Sequence, residues 1–207
     1  PQFGFSLQIK SMRDVGESSI KKAQSFLQQN LEKGGLFAPE RKRSIPYAPE
    51  RIGLVASTQS AAYADFIKIL NARWQGVEVV VYESQVQGDA AVQQLVDGIN
   101  HFNGLAQPVE AVVMIRGGGS VDDLGAFSTE QVTRAIAASK APTVAAIGHE
   151  VDTSLAELAA DLRASTPSNA AELLFPDKQA KQQQFASTLQ QLSNVVDERL
   201  ARKSDAL

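Results

Sequence analysis

The stretch that decides the fold is Ile52–Tyr82, which reads IGLVASTQSAAYADFIKILNARWQGVEVVVY. A short apolar run opens it, small polar residues follow, apolar residues then recur at helical spacing, and a second apolar run closes it. This order is typical of a buried strand, an amphipathic helix and a second buried strand. Strands joined through a helix lie parallel in one sheet, so the stretch predicts a β–α–β unit.

The alternation of strand and helix continues towards the C terminus. Val109–Ile115 and Thr143–Ile147 are further apolar runs of strand length, and Thr129 is placed to cap a helix between them. Another helix is predicted to start near Gly88, with a polar loop over residues 100–107. Strands that are apolar on both sides need helices on both faces of their sheet. We therefore predict an α/β fold with a parallel sheet of four or more strands and helices on both faces.

The N-terminal part of the chain has a different pattern. Phe3–Ile9 alternates apolar and polar residues, as a half-buried strand does, and residues 20–31 have apolar side chains at helical spacing. Glycines, prolines and basic residues in the segment 34–50 predict a linker. We interpret residues 1–49 as the end of an upstream β domain with a helical linker, and residues 50–177 as the central α/β domain.

After Pro176 the pattern changes again. Apolar residues recur at intervals of three and four between glutamines and charged residues, namely Phe185, Leu189, Leu192, Val196 and Leu200. This spacing predicts a long helix over residues 178–207 that begins a coiled coil. The alternative is a helix that packs back on its own domain.

Composition limits the class of protein. Hydrophobic residues make up 43% of the 207, which is enough for a packed core. The absence of cysteine excludes disulfides and thiolate metal sites and fits a reducing, cytoplasmic compartment. No apolar run approaches the roughly 20 residues that span a bilayer, so no membrane contact is expected.

The net charge of −3 argues against binding to nucleic acid through bulk charge alone. The basic residues are uneven, however, because residues 1–49 carry eight basic and four acidic side chains. A contact with a polyanion outside the main site would begin in this segment. The alternative is an ordinary solvated surface.

Polar residues follow each of the four predicted strands. The carboxyl ends of parallel strands meet at one edge of the sheet, where open α/β sheets bind ligands. The first strand and its helix contribute Ser57 and Asp65, the second Glu83, the third Arg116 with Gly117, Gly118, Gly119 and Ser120, and the fourth His149, Glu150 and Asp152.

The Arg-Gly-Gly-Gly-Ser stretch at residues 116–120 predicts a phosphate site. A guanidinium can bind two phosphate oxygens at once, and glycines let backbone N–H groups approach an anion closely. Ser57 is predicted to join them. The stretch matches neither the P-loop nor the dinucleotide-binding fingerprint. The alternative is a flexible turn.

His149 is the candidate for proton transfer, because histidine titrates near neutral pH. Asp152 is close enough in sequence to orient it. Alternatively, Glu150, Asp152 and Asp161 are candidate ligands for a hard cation such as Mg²⁺, or the histidine has a structural role. Glu150, Asp161 and Arg163 are supporting residues. For Asp161 and Arg163, the structural interpretation is an ion pair that holds the following helix start.

Several motifs resemble the large subunit of bacterial exodeoxyribonuclease VII. They are Arg116–Ser120, Gly148–Glu150 with Asp152, Asp161 with Arg163, and Thr166–Ser168, and upstream Gly35–Phe37, Lys42–Arg43 and Arg51–Gly53. The resemblance covers roughly residues 3–177. Two departures are Gly125, where the family usually has Trp, and Glu157, where it usually has Asp.

The resemblance implies hydrolysis of single-stranded DNA from either end to oligonucleotides with 5′-phosphates. It also implies an N-terminal OB-fold whose last strand is in residues 1–49, a catalytic α/β domain, and a coiled coil that binds several copies of a small subunit to form a hetero-oligomer. Metal is not strictly required, although Mg²⁺ is an option.

We assign four catalytic roles on this basis. Arg116 holds the scissile phosphate, His149 transfers a proton, Asp152 orients His149, and Asp65 positions water or a cation. The alternative function is an α/β module that binds a nucleotide or phosphate ligand without hydrolysis. A scaffold role without activity is the third hypothesis.

Overall fold

In the computed structural model, residues 17–88, 90–117, 121–148 and 153–204 are described. Within these ranges five parallel strands form one sheet in the order β2-β1-β3-β4-β5. They are β1 (Arg51–Ala56), β2 (Glu78–Glu83), β3 (Ala111–Ile115), β4 (Thr143–Ala146) and β5 (Leu162–Arg163). The predicted α/β class and its parallel sheet are confirmed. Strand β5 was not predicted, because two residues are too few to show an apolar run. The predicted strand at residues 3–9 lies outside the described residues.

Helices cover both faces of the sheet, as predicted. The α-helices of the described ranges are α1 (Glu17–Lys33), α2 (Ala61–Arg73), α3 (Ala91–Gly104), α4 (Glu130–Ala137), α5 (Leu155–Ala159), α6 (Pro167–Leu174) and α7 (Lys178–Ser204). Helices α2 and α6 contribute to one core cluster and α3, α4 and α5 to the other. Alternate side chains of each central strand enter opposite clusters, as the strand period of two requires.

Helix α3 and strand β1 approach each other closely. A Cβ atom added at Gly53 would lie 2.8 Å from ring atoms of Phe102, which is 4% exposed. Phe102 belongs to α3, so the predicted polar loop over residues 100–107 is wrong in its first half. The helix continues to Gly104 because this aromatic side chain is buried against the sheet.

Short polar side chains begin the helices that follow the strands. The Oγ of Ser60 accepts a hydrogen bond from the Tyr63 N–H at the start of α2, and Thr129 caps α4 as predicted. The cap of α6 is Thr166, whose side chain accepts from the Asn169 N–H. Ser168, whose spacing from Glu172 is typical of a helix start, lies in the first turn of α6.

The segment between α1 and β1 packs against the α/β unit. Lys42 Nζ donates to the carbonyls of Leu158 and Ala160, and Arg43 forms an ion pair with Asp161. Further along, the Ala48 N–H donates to the carbonyl of Leu174. Lys42 and Arg43, which contribute to the basic character of residues 1–49, are therefore engaged in internal contacts.

Helix α7 follows the α/β unit, and the apolar side chains of its described part are exposed. Phe185 is 66% exposed and Leu192 is 62% exposed, and Val195 is also open to solvent. Over residues 178–195 the helix thus does not pack back on its own domain. Among the described helices, none combines the length and the apolar character that crossing a bilayer requires.

Candidate active site

The strand order places a topological switch point at the carboxyl ends of β1 and β3. Strand β1 lies between β2 and β3, so the connections that leave β1 and β3 diverge. Ligands of doubly wound α/β sheets bind at such a switch point. Ser57 follows β1 there, and Arg116 with Gly117 follows β3. The structure thus brings the two described parts of the predicted phosphate site to one edge.

Arg116 is firmly attached at this edge. Its backbone N–H donates to the carbonyl of Ala146 at 3.0 Å, which extends the pairing of β3 with β4 by one residue. The residue is only 6% exposed, so its side chain is nearly buried at this edge. A Cβ atom added at Gly117 would lie 3.5 Å from Ala62 Cβ, in the first turn of α2. The glycine therefore follows Arg116 directly against the start of a helix, where free N–H groups favour anions.

Glu83 fixes the loop that follows β1. Its carboxylate accepts from the Thr58 N–H at 3.0 Å. Hydrogen bonds from the side chain and backbone of Thr58, with a weaker one from Ser57, lower the pKa of Glu83 below its usual value. No role was assigned to Glu83 from the sequence, although its place at the end of the second apolar run was a visible signal.

Asp65 lies one turn into α2 and is exposed. It follows Ala62 by three residues, so the two are neighbours on the helix surface. Ala62 lies next to Gly117, so Asp65 is within one helical turn of the residue that contacts the end of β3. The predicted approach of Asp65 from the first helix is compatible with this placement.

The remaining predicted groups of this edge are outside the described residues. They are Gly118, Gly119 and Ser120 after β3, and His149, Glu150 and Asp152 after β4. Gly148, directly before His149, is described and buried, and it follows a strand adjacent to β3. The roles of these six residues stay predictions.

Asp161 lies at the opposite edge of the sheet. Its Oδ2 accepts from both the N–H and the Oγ1 of Thr143, the first residue of β4, at 2.7 and 3.0 Å. Arg43 donates to both carboxylate oxygens, and the side chain of Asp161 is 5% exposed. Thr143 and Gly148 are five strand residues apart, or about 16 Å. The structure therefore does not bring Asp161 to the carboxyl edge, which corrects its candidacy as a metal ligand beside His149.

Arg163 contacts Glu157 rather than the start of α6. Its Nε lies 3.3 Å from Oε1 of Glu157, whose side chain is completely buried. The same carboxylate accepts from the N–H and Oγ of Ser154 at the start of α5. Ser154 and Glu157 form a capping box, a pattern that is readable in the sequence but was not used.

Among the described residues, no three histidine or acidic side chains are grouped closely enough to hold a metal ion. Two candidate residues for a cation are described: Asp161, whose carboxylate accepts from Arg43 and Thr143, and Asp65, which is exposed on α2. The described groups of this edge that favour an anion are Arg116, the N–H of Gly117 and the start of α2. Mg²⁺ stays a prediction.

The fold and this edge define a doubly wound α/β domain with a candidate ligand site at its switch point. The chain belongs to the exonuclease VII large subunit family, whose model matches residues 36–207. This confirms the resemblance found in the motifs.

Curated relatives named exodeoxyribonuclease 7 large subunit support the same family. The protein from Syntrophomonas wolfei is 42% identical over 95% of this chain and 48% of the relative. The one from Rhodopirellula baltica is 41% identical over 84% of this chain and 39% of the relative. The one from Pasteurella multocida is 40% identical over all of this chain and 46% of the relative. The chain spans less than half the length of these relatives.

Proposed function

We propose that this chain is the catalytic region of an exodeoxyribonuclease that hydrolyses single-stranded DNA from either end to oligonucleotides with 5′-phosphates. The observation that carries the proposal is the placement of Arg116 and Gly117 at the switch point of the sheet in a chain of this family. A nearly buried guanidinium beside a glycine and a helix start suits a phosphodiester, because all three favour an anion.

The products define the bond that breaks. A 5′-phosphate forms when water attacks phosphorus and the bond from phosphorus to O3′ breaks, which leaves a protonated O3′ on the other strand end. Arg116 and the N–H groups that follow it stabilise the negative charge that develops on the phosphate oxygens. His149 either takes the proton from water or delivers one to O3′. Asp152 orients His149.

Asp65 has the remaining role. Its exposed carboxylate on α2 positions the attacking water or a cation. Mg²⁺, when bound, supplies charge stabilisation at the phosphate and would be held by Asp65 with Asp152 and Glu150, because carboxylate oxygens are its preferred ligands. We propose that the ion assists without being required. Activity that persists in excess EDTA supports this, and complete loss contradicts it.

The decisive experiment compares two histidine variants of the full-length protein that contains this chain. His149→Ala should slow cleavage of end-labelled single-stranded DNA by about 10²–10⁴-fold, the usual effect of removing a general acid or base. The matched control is His101→Ala, the only other histidine, which is exposed on α3 and contacts Tyr82. Duplex DNA should stay intact. Cleavage by His149→Ala at the parent rate would refute the proton-transfer role of His149. If the parent protein binds single-stranded DNA tightly without cleaving it, the non-hydrolytic function is favoured.

The proposed partners are a small subunit, which would bind helix α7, and single-stranded DNA, which an upstream OB-fold would capture. Helix α7 presents an exposed stripe that includes Phe185 and Leu192, which suits a coiled coil with several copies of a small subunit. An OB-fold preceding residue 50 would capture single strands by stacking and charge. The cytoplasm is the proposed compartment, on the absence of cysteine.

A further inference from the structure

Glu157 is a completely buried carboxylate of α5 that contacts the cap of its own helix, strand β5 and a residue just after β4. Its Oε1 accepts from the N–H of Gly148, at the end of β4, at 3.4 Å and from Nε of Arg163, in β5, at 3.3 Å. Its Oε2 accepts from the N–H and Oγ of Ser154, the cap of α5, each at 2.9 Å. Oε1 therefore contacts Gly148 and Arg163, whereas Oε2 contacts the cap of α5.

The two backbone contacts flank one short segment. Gly148 immediately precedes residues 149–152, and Ser154 follows them after a single residue. One rigid carboxylate group thus binds an N–H on each side of this segment. The positive charge of Arg163 compensates the buried negative charge, so both oxygens are available as acceptors.

We propose that Glu157 is a positioning residue that holds both ends of the segment 149–152 at a fixed separation. The role deepens the proposed function and rests on it, because His149 and Asp152 are the groups carried between the two ends. Their placement relative to the phosphate at Arg116 would then depend on a residue that touches no substrate. Displacement of a catalytic group by about 1 Å can slow a reaction roughly 100-fold.

Two substitutions separate this role from simple packing. Glu157→Gln keeps the size of the side chain but replaces one acceptor oxygen by a donor NH₂ group, so one of the two backbone N–H groups loses its partner. Glu157→Asp keeps both acceptor oxygens and loses one methylene. If Glu157 only fills space, Gln is tolerated better than Asp. If it acts as a double acceptor, Asp is tolerated better than Gln.

The experiment uses the full-length assembled protein and single-stranded DNA, at a temperature well below the unfolding midpoint of every variant. We expect Glu157→Gln to lower kcat by about 10- to 100-fold with KM changed by less than about twofold, since Arg116 still binds the phosphate. Glu157→Asp should retain more activity than Glu157→Gln. The matched control is Glu130→Gln, an exposed carboxylate paired with Arg134, which should cleave normally.

Amide hydrogen exchange gives a readout that does not depend on catalysis. Glu157→Gln should accelerate exchange at Gly148 or Ser154 by roughly tenfold or more, and Glu130→Gln should not. Native kcat in Glu157→Gln, or lower activity in Glu157→Asp than in Glu157→Gln, would overturn the positioning role. If the parent protein cleaves no DNA, the proposed function fails. Unchanged exchange in Glu157→Gln would show separately that Glu157 does not hold the two ends of the segment.

Discussion

Asp161 shows how neighbouring donors can hold a carboxylate in its charged form. Burial raises its pKa, but hydrogen bonds from Arg43 and Thr143 outweigh burial and lower the pKa from 3.8 to about 2. A group whose pKa is lower in the folded state stabilises the fold above its unfolded pKa, and this contribution is lost as pH falls through the folded pKa. The contribution of Asp161 is therefore present above about pH 4 and disappears as pH falls to about 2.

We expect Asp161→Asn to lower the free energy of unfolding at neutral pH by about 1–2 kcal/mol, because an amide cannot accept hydrogen bonds on both of its polar atoms. The difference from the parent should shrink as pH falls from about 4 to about 2. Urea denaturation over this range measures it. Asp97→Asn, on an exposed carboxylate of α3 that accepts from Gln93, is the control. A penalty that is independent of pH would contradict the role given to Asp161.

Arg116 allows a sharper test of the phosphate site than removal of its charge. Arg116→Lys keeps the positive charge but loses the planar fork that binds two oxygens. We expect cleavage to slow by about 10²–10³-fold, the range seen when one transition-state donor is removed. Steady-state cleavage of single-stranded DNA measures the effect, with circular dichroism to verify folding because the residue is nearly buried. Arg134→Lys, exposed on α4, should be neutral, and an equally neutral Arg116→Lys would argue against bidentate binding.

At the scale of elements, the contact of β1 with α3 depends on the missing side chain of Gly53. Gly53→Ala would force a methyl group against the buried ring of Phe102, whose nearest atoms are 2.8 Å from the added Cβ. Such overpacking costs about 1–3 kcal/mol, which chemical denaturation can measure. Adding Phe102→Leu should recover part of the loss. Gly104→Ala, whose added Cβ meets nothing within 4 Å, is the control, and equal effects of both alanines would contradict the packing.

Two leucines distinguish a helix built into the core from one that awaits a partner. Leu174 of α6 is 1% exposed, whereas Leu192 of α7 is 62% exposed. We expect Leu174→Ala to lower the free energy of unfolding by about 2–5 kcal/mol through lost burial and a cavity. Leu192→Ala should change it by less than about 0.5 kcal/mol. Denaturation of this chain without added partners measures both, and a large effect of Leu192→Ala would mean that α7 packs on its own domain.

At the scale of the whole molecule, the segment that precedes β1 is attached by basic side chains. Besides Asp161, Arg43 donates to the carbonyls of Ser139 and Lys140 beyond the end of α4. Burial lowers the pKa of Lys42, an effect that the charge of Asp161 opposes. These contacts tie the upstream chain to the same side of the sheet as the amino ends of β4 and β5.

Arg43→Ala should release this segment without unfolding the domain. Tyr47 is exposed, so chymotrypsin can report on local opening around it. We expect cleavage after Tyr47 to accelerate by roughly tenfold, which corresponds to a loss of about 1.4 kcal/mol in the free energy of opening. Far-UV circular dichroism should be unchanged. Arg134→Ala, which breaks only an exposed pair within α4, is the control, and unchanged proteolysis of Arg43→Ala would show that the segment is held by other contacts.

The sequence by itself determined the alternation of strands and helices, the cap at Thr129, and the polar groups that end β1 and β3. These features depend on periodicity and on contacts within a few residues, which a linear pattern displays. It also carried the motifs that identify the family. Strand β5 and the full length of α3 were not predicted from the sequence, because both depend on distant residues. Strand β5 pairs with β4, and the last turns of α3 are held by Phe102, which packs against Gly53.

Only the tertiary structure decided which polar residues share an edge. Asp161 and Arg163 are two positions apart in the chain, yet Asp161 contacts Arg43 and Thr143 at the amino edge, while Arg163 reaches Glu157 and thereby the end of β4. Hydrogen bonds between residues more than 100 positions apart, as between Arg43 and Asp161, leave no local pattern to read. Strand order likewise placed Arg116 beside Ser57 at the switch point, because pairing between strands is set by long-range packing rather than by sequence adjacency.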